Sequence, residues 1–319
     1  MAYKTPLSKE QKEKLANLEP RLVSCVKSAN LREAKLITAE IQLLLRPTGH
    51  ETRLLQAKNW LYETAMEANS ITFAKLGFEG NIQKSGPRTR LHLEATSLLA
   101  ICYLRERNID RARELIAKAV DDISCIRSES KRKQFHERLI ARLEEESILL
   151  GLVDELAPSL DLEEVDWHTV NLIKTKSESQ IYLEMGRAVP PQVIDLLDVV
   201  RRAYTLRLPA PDIKLLPPPL NKENEESLGK RANSALRRVA WRSICSSDSE
   251  VYKAWSQGLA AVYDKKYITG AIVVSFNSIS ISAVMVAASA AALAIKFGVE
   301  VFCETFAPKS LMIEKKDKA

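Results

Sequence analysis

Histidines and cysteines are the residues that would carry metal or nucleophilic chemistry. His50, His92, His136 and His168 are dispersed, and Cys25, Cys102, Cys125, Cys245 and Cys303 contain no CxxC pair. Zinc sites draw their ligands from short spacings such as CxxC or HExxH, so no metal centre is expected. Five cysteines at irregular intervals fit reduced thiols better than a disulfide framework. In Gln134-Phe135-His136-Glu137-Arg138 an imidazole sits beside a carboxylate, the pairing that acid–base work would use. Neighbouring helical residues point in different directions, however. The stretch therefore reads as a solvated helix face, as does Glu144-Glu145-Glu146. Neither GxxxxGK[ST] nor GxGxxG occurs, and Gly77-Phe78-Glu79-Gly80-Asn81 reads as a turn or an inter-helix packing point. No catalytic residue, cofactor or enzymatic activity is expected, although a triad assembled from distant residues would leave no local mark.

Two basic sets could instead bind anions. Arg127–Arg142 lacks the interleaved aromatics that stack on bases, so nucleic acid is not the expected partner. Lys230, Arg231, Arg237, Arg238 and Arg242, with Lys265 and Lys266, precede a run without a single charge from Tyr267 to Ile295. That placement suits lipid headgroups; an acidic protein partner is the rival. A helix of about 20 apolar residues crosses a bilayer core, so the run is long enough to span with some tilt. On one continuous helix Ser275, Ser278, Ser282 and Ser289 fall on a single stripe, which would favour self-association through small and polar groups. The same run could be a buried helix of a soluble bundle. A β-hairpin is a third option, because Asn277–Ala283 alternates.

The elements that would position these groups are helices. Ten glycines and 6% aromatics, against abundant Leu, Ala, Glu, Lys and Arg, predict an all-α fold. The net charge of +6 is too mild to argue for a polyanionic partner. Ser8 with Gln11 reads as a capping box opening a helix at Lys9. Further helices are expected at Leu31–Leu45, Thr52–Glu67, Ala68–Ile82, Arg88–Arg107, Asp110–Ser124, Ser128–Leu152, Asp161–Gly186 and Gln192–Leu206. Core candidates in the eighth of these nine include Val165, Trp167 and Leu172. Leu208–Asn221 carries five prolines in 14 residues and reads as a semi-rigid extended linker, not helix, with the alternative that its apolar residues lie in a groove of the body. Beyond it, Lys222–Cys245 and Ser247–Lys266 are expected helices.

Leu99, Ala100, Tyr103, Ala112, Ile116 and Ala119, on two amphipathic stretches joined at Asn108-Ile109, fall at the spacing of a tetratricopeptide repeat. The small alanines would let two antiparallel helices approach, while Tyr103 and Ile116 would fill the space between repeats. Thr96 and Ser124 depart from the pattern, which usually has a large residue and a proline there. Looser matches around Ala34, Thr38 and Ile41, and around Ala57 with Trp60, extend the resemblance to about three helical hairpins over 9–125. The expected organisation is a tetratricopeptide-like body at 1–126, further helical body at 127–207, a proline-rich linker at 208–221 and basic helices at 222–266. An apolar segment at 267–306 and a charged tail at 307–319 would complete it.

One late apolar segment without an N-terminal signal resembles the topology of a tail-anchored membrane protein, which implies an N-terminal body in the cytoplasm. The expected function is a non-enzymatic, membrane-anchored helical-repeat protein that binds a protein or peptide and forms homo-oligomers. One alternative is a membrane-disrupting or pore-forming effector of toxin or defence type, controlled by the helical body. The other is a soluble regulatory scaffold whose apolar helix is buried.

Overall fold

A computed structural model describes residues 4–214, 216, 224–246, 249–258 and 264–312. Among these the fold is all-α, with sixteen helices and one isolated bridge, Val153 to Ile281, as its β element. The chain divides into two compact units. Unit 1 comprises Met1–Arg142, Arg202–Leu216 and Lys309–Ala319, and unit 2 comprises Leu143–Arg201 and Pro217–Pro308.

Unit 1 begins with six helices: α1 (Lys9–Ser28), α2 (Leu31–Leu45), α3 (Glu51–Glu67), α4 (Ile71–Lys84), α5 (Arg90–Arg105) and α6 (Ile109–Asp122). Local chemistry sets their starts. Ser8 and Gln11 cap α1 reciprocally, at 3.1 and 2.9 Å. The Asn30 and Asn108 side chains accept the Glu33 and Arg111 amides that α2 and α6 would otherwise leave unbonded. Consecutive helices pack as antiparallel hairpins, and α1 also packs on α3 and α3 on α5. First helices thus stack on first helices, the arrangement of a repeat array. Hairpin starts at Lys9, Glu51 and Arg90 lie about 40 residues apart, longer than the 34-residue tetratricopeptide period.

Unit 1 continues with the first part of α7 (Glu129–Leu152), the end of α10 (Pro191–Thr205) and the short α11 (Ala210–Ile213). The expected proline-rich linker is therefore helical for one turn. Leu208 and Asp212 are buried there, so this part packs instead of dangling. Leu215 and residues 217–221 of the expected linker lie outside the described residues.

Unit 2 contains the rest of α7 and of α10, then α8 (Leu162–Thr175), α9 (Glu178–Ala188), α12 (Glu225–Cys245) and α13 (Glu250–Ser256). The helix expected at Asp161–Gly186 is two helices, because Ser177 and Gln180 form a second capping box that restarts the chain. Trp167, a core candidate by sequence, is exposed. Of the helix expected at Ser247–Lys266, α13 is the described part, and residues 259–263 fall outside it.

The largest departure from expectation is the uncharged run. It forms α14 (Lys265–Asn277) and α15 (Val284–Phe297), and α16 (Val299–Thr305) follows. Neither Gly nor Pro makes the break. Asn277 turns its side chain onto the Leu160 backbone, accepting its N–H at 2.8 Å and donating to its carbonyl at 3.1 Å. The Asp154 amide then donates to the Ser280 carbonyl at 2.9 Å, and Ser280 takes a left-handed φ of 57°. Local turn bonds close the helix, from the Ile279 and Ile281 amides to the Phe276 carbonyl and from the Ser280 amide to the Asn277 carbonyl, and the distant segment fastens the break. No described helix is long and apolar enough to cross a membrane alone; α15 with α16 passes by length and composition as a pair bent by 99°. Residues Val286–Ala294 are buried in the unit 2 core, with α15 packed on α8, α9, α14 and α16.

Cysteines also depart from expectation. Cys245 and Cys303 form a disulfide across a separation of 58 residues, tying α12 to α16, whereas Cys25, Cys102 and Cys125 remain thiols.

Candidate functional site

Helix α3 carries Asn59, Glu63 and Glu67 at steps of four, which places them on one face. All three are buried, with 1%, 3% and 3% of their surfaces exposed. Buried carboxylates are costly unless donors surround them, and donors converge here from several parts of unit 1. Glu67 pairs with Arg142 of α7 and, at 3.4 Å, with Arg105 of α5, whose guanidinium also donates to the Met66 carbonyl. Asn59 accepts from Asn81 of α4 at 2.8 Å.

Glu63 holds a peptide segment. Its Oε2 accepts the Ser310 hydroxyl at 2.7 Å and its Oε1 accepts the Leu311 amide at 2.8 Å. The Ser310 oxygen in turn accepts the Met312 amide at 3.0 Å. Arg138 of α7 donates to the Met312 carbonyl at 3.4 Å. Leu311 and Met312 are buried. The site thus engages a hydroxyl, one amide, one carbonyl and two apolar side chains, which is how a binding site reads a short peptide, while the Met312 amide is held within the segment. The sequence contained a signal for this face. Two acids four residues apart, among the apolar residues of the second half of α3, seldom stay buried without a partner.

A second buried cluster lies at His136, whose stretch the sequence suggested was solvated. Its imidazole and the Tyr204 phenol have no exposed surface, and the phenol oxygen lies 2.8 Å from Nδ1. Asp212 of α11 stands 3.8 Å from Nε2 and 3.5 Å from Nε of Arg132. Burial pulls the His136 pKa below its ordinary value, only partly opposed by Asp212. Phenol, imidazole and carboxylate could relay a proton, but full burial of the first two leaves no room for substrate against them. The cluster fastens α11 to α7.

The Glu144–Glu146 run is likewise not a solvated face. Glu144 and Glu146 are buried, and Glu144 pairs with Arg231 and, at 3.2 Å, with Arg201. Glu145 accepts from Ser234 at 3.0 Å and Arg238 at 3.2 Å. Part of the basic set offered for lipid headgroups or an acidic partner thus meets acids of its own unit. Arg237 stacks on the Phe306 ring at 4.3 Å, and burial pulls Arg242 down to about 10, still charged at neutral pH. Lys230 and Lys266 are exposed and pair with Glu226 and Glu163, while Lys265 is exposed.

The four serines named for self-association do not share one helical face. Ser275 lies buried on α14, Ser278 and Ser282 in the break, and Ser289 buried on α15. Of the residues named for repeat packing, Leu99, Ala100, Ala112, Ile116 and Ala119 are buried on α5 and α6. Tyr103 reaches back to α4, donating to Glu79 at 3.3 Å beneath the Lys75 ammonium. Of the two roles expected for Gly77, inter-helix packing point is the one it has, not turn. It lies within α4, and a Cβ there would collide with the Tyr62 ring.

Gly186 and Gly229 are packing residues that nothing in the sequence marked out. They meet where α9 crosses α12, and a Cβ at Gly186 would lie inside the contact distance of the Glu225 carbonyl. Among the described residues no group of three or more His, Cys, Asp and Glu side chains could hold a metal ion. In comparisons with known proteins, no family model, curated protein or solved structure matches this chain.

Proposed function

We propose that the protein is a non-enzymatic helical-repeat scaffold that binds a protein partner through the layer of first helices in unit 1. The observation that carries this reading is the Glu63 carboxylate, which holds a hydroxyl and a backbone amide of a peptide segment. Stacked hairpins are suited to such work, because adjacent first helices build an extended surface from local contacts alone. The tetratricopeptide-like spacing on α5 and α6 supports the same reading. The test is affinity capture with the full chain beside Glu63→Lys. A partner retained by wild type and lost by the variant, with helix content kept and only a lowered melting point, is the expected result. Equal capture by both would remove Glu63 from the interface.

A second reading concerns membranes. The absence of charge from Tyr267 to Ile295 and the bent pair α15–α16 support membrane engagement by the C-terminal region, as anchor or effector. The burial of Val286–Ala294 supports the scaffold with an internal apolar helix, and we favour it. Carbonate extraction of the full chain discriminates. Full recovery in the supernatant is expected, and retention in the pellet would restore the membrane reading.

A further inference from the structure

We infer that the α3 site is selective for short peptides of the form hydroxyl residue, large apolar, large apolar, and that the chain's own Ser310-Leu311-Met312 is a resident competitor for it. This inference rests on the scaffold reading and names the partner's chemistry. Each position of the segment is read by a different group. Glu63 draws two donors from the segment, the Ser310 hydroxyl and the following amide, at 2.7 and 2.8 Å. The hydroxyl oxygen accepts the Met312 amide at 3.0 Å, which folds the segment so that both donors face one carboxylate. Serine and threonine can donate and accept at once; alanine can do neither. An analogue without the hydroxyl would leave a buried carboxylate short of a donor, a defect that binding sites discriminate strongly. Leu311 and Met312 are 3% and 1% exposed, so the next two positions demand apolar side chains. Arg138 on the Met312 carbonyl fixes the direction of the chain.

The same geometry excludes a phosphorylated partner. A phosphate on the hydroxyl residue would place about two negative charges against the buried Glu63 carboxylate, where like charges repel. A partner segment must also displace the resident one, so intrinsic affinity and apparent affinity differ by the fraction of chains whose site is open.

The test uses the full chain and a fluorescein-labelled peptide with the sequence of Ala307–Glu314, read by anisotropy. Leu311→Asp with Met312→Asp in the chain removes the apolar anchors of the resident segment without touching Glu63. The double variant should bind the peptide at least tenfold more tightly than wild type. Glu63→Gln in that background should weaken binding at least tenfold, as should alanine or phosphoserine at the probe's Ser310 position. Equal affinity of wild type and double variant, or indifference to all three changes, would overturn the inference. A second measurement needs no variant. Hydrogen exchange at residues 310–312 of wild type should be slow, and should accelerate on saturation with the peptide bearing threonine for Ser310. Unchanged protection at saturation would equally overturn the inference. If Glu63→Lys abolishes partner capture while the peptide fails to bind, the scaffold reading survives and this inference does not. Dimers that appear in wild type and vanish with the double variant would mean the segment is exchanged between copies, which contradicts a resident competitor acting within one chain.

Discussion

The two units bury polarity in opposite ways. In unit 1, polar side chains pair between elements: Asn59 against Asn81, Glu67 against Arg105 and Arg142, and Glu63 against Ser310. In unit 2, the closest helices touch through backbone, at Gly186 with Gly229 and along the alanines of α15. Its acids Glu144, buried, and Glu145, half-buried, pair with arginines of α10 and α12, apart from that small-residue contact. A core held by satisfied polar groups can exchange one donor for another, which a receptor needs. A core held by small-residue contact has no group to exchange and tolerates no added atom.

The largest effect should come from breaking the polar core of unit 1. Glu67→Ala would leave Arg142, 5% exposed, and Arg105 without their carboxylate. Removing one partner of a buried pair typically costs about 3–5 kcal/mol. Trp60 is the tryptophan of unit 1, so a variant with the other tryptophans replaced by phenylalanine reports that unit's unfolding by fluorescence in denaturant. A loss below about 1 kcal/mol would show that solvent reaches the arginines and that the polar core is not closed.

In unit 2 the matching experiment adds a single carbon. Gly186→Ala forces α9 away from the Glu225 carbonyl of α12 and should cost about 3 kcal/mol. Gly80→Ala in α4 of unit 1 meets nothing within 4 Å and should stabilise by about 0.5–1 kcal/mol. The same substitution with opposite signs would separate close backbone contact from simple helix propensity. Two losses of equal size would erase the contrast between the units.

How much of this was legible in the sequence follows from where each constraint originates. Among the hairpin helices α1, α2 and α6 start on local signals: Ser8 bonds to Gln11, Asn30 to Glu33 and Asn108 to Arg111, all three residues away, whereas α3 and α4 have no side-chain cap and show only in their apolar spacing. The break after Asn277 could not. Its anchor is the backbone at Leu160 and Asp154, more than 100 residues distant, while the Asn, Ser and Ile residues of 277–282 only weaken helix locally without fixing where it stops. The Glu144–Glu146 run and the basic face of α12 were each visible as charge. Their pairing was not, because each looked like a solvated surface until the fold brought them together. The α3 face was visible in principle, as two acids four residues apart among apolar neighbours. Its partner, Ser310, lies 247 residues away and carries no motif.

That difference between local and distant constraints can itself be measured. Asn277→Ala removes both bonds to Leu160 and should destabilise unit 2 by about 1–2 kcal/mol. It should also lengthen α14, because the uncharged run regains helix as its preferred state. Asn30→Ala removes one local cap and should cost about 1 kcal/mol in unit 1 without moving a helix end. Hydrogen exchange at residues 278–282 decides the first case. Increased protection there is expected in the variant, and unchanged exchange would mean that the break is encoded locally after all.

The gentlest probe is pH, and it acts on unit 1. His136 is buried, and burial is the main reason its pKa lies below the usual value; Asp212 opposes the shift and Arg132 reinforces it. An unfolded chain protonates this imidazole near pH 6.5. Above that pH both states hold it neutral, and it contributes nothing to the pH dependence of stability. As pH falls below about 6.5 the unfolded chain binds a proton that the folded chain resists, so the unfolded state gains. Stability should decline through that window and level off only below the lowered folded value. His136→Gln keeps an amide for the Tyr204 phenol and removes the titration, so its unfolding midpoint should lose this part of the decline. Identical slopes in wild type and variant would mean that His136 reaches solvent without unfolding, and that the segment carrying Asp212 opens from α7 in the native state. Unit 1 would then exchange not one of its buried contacts but two.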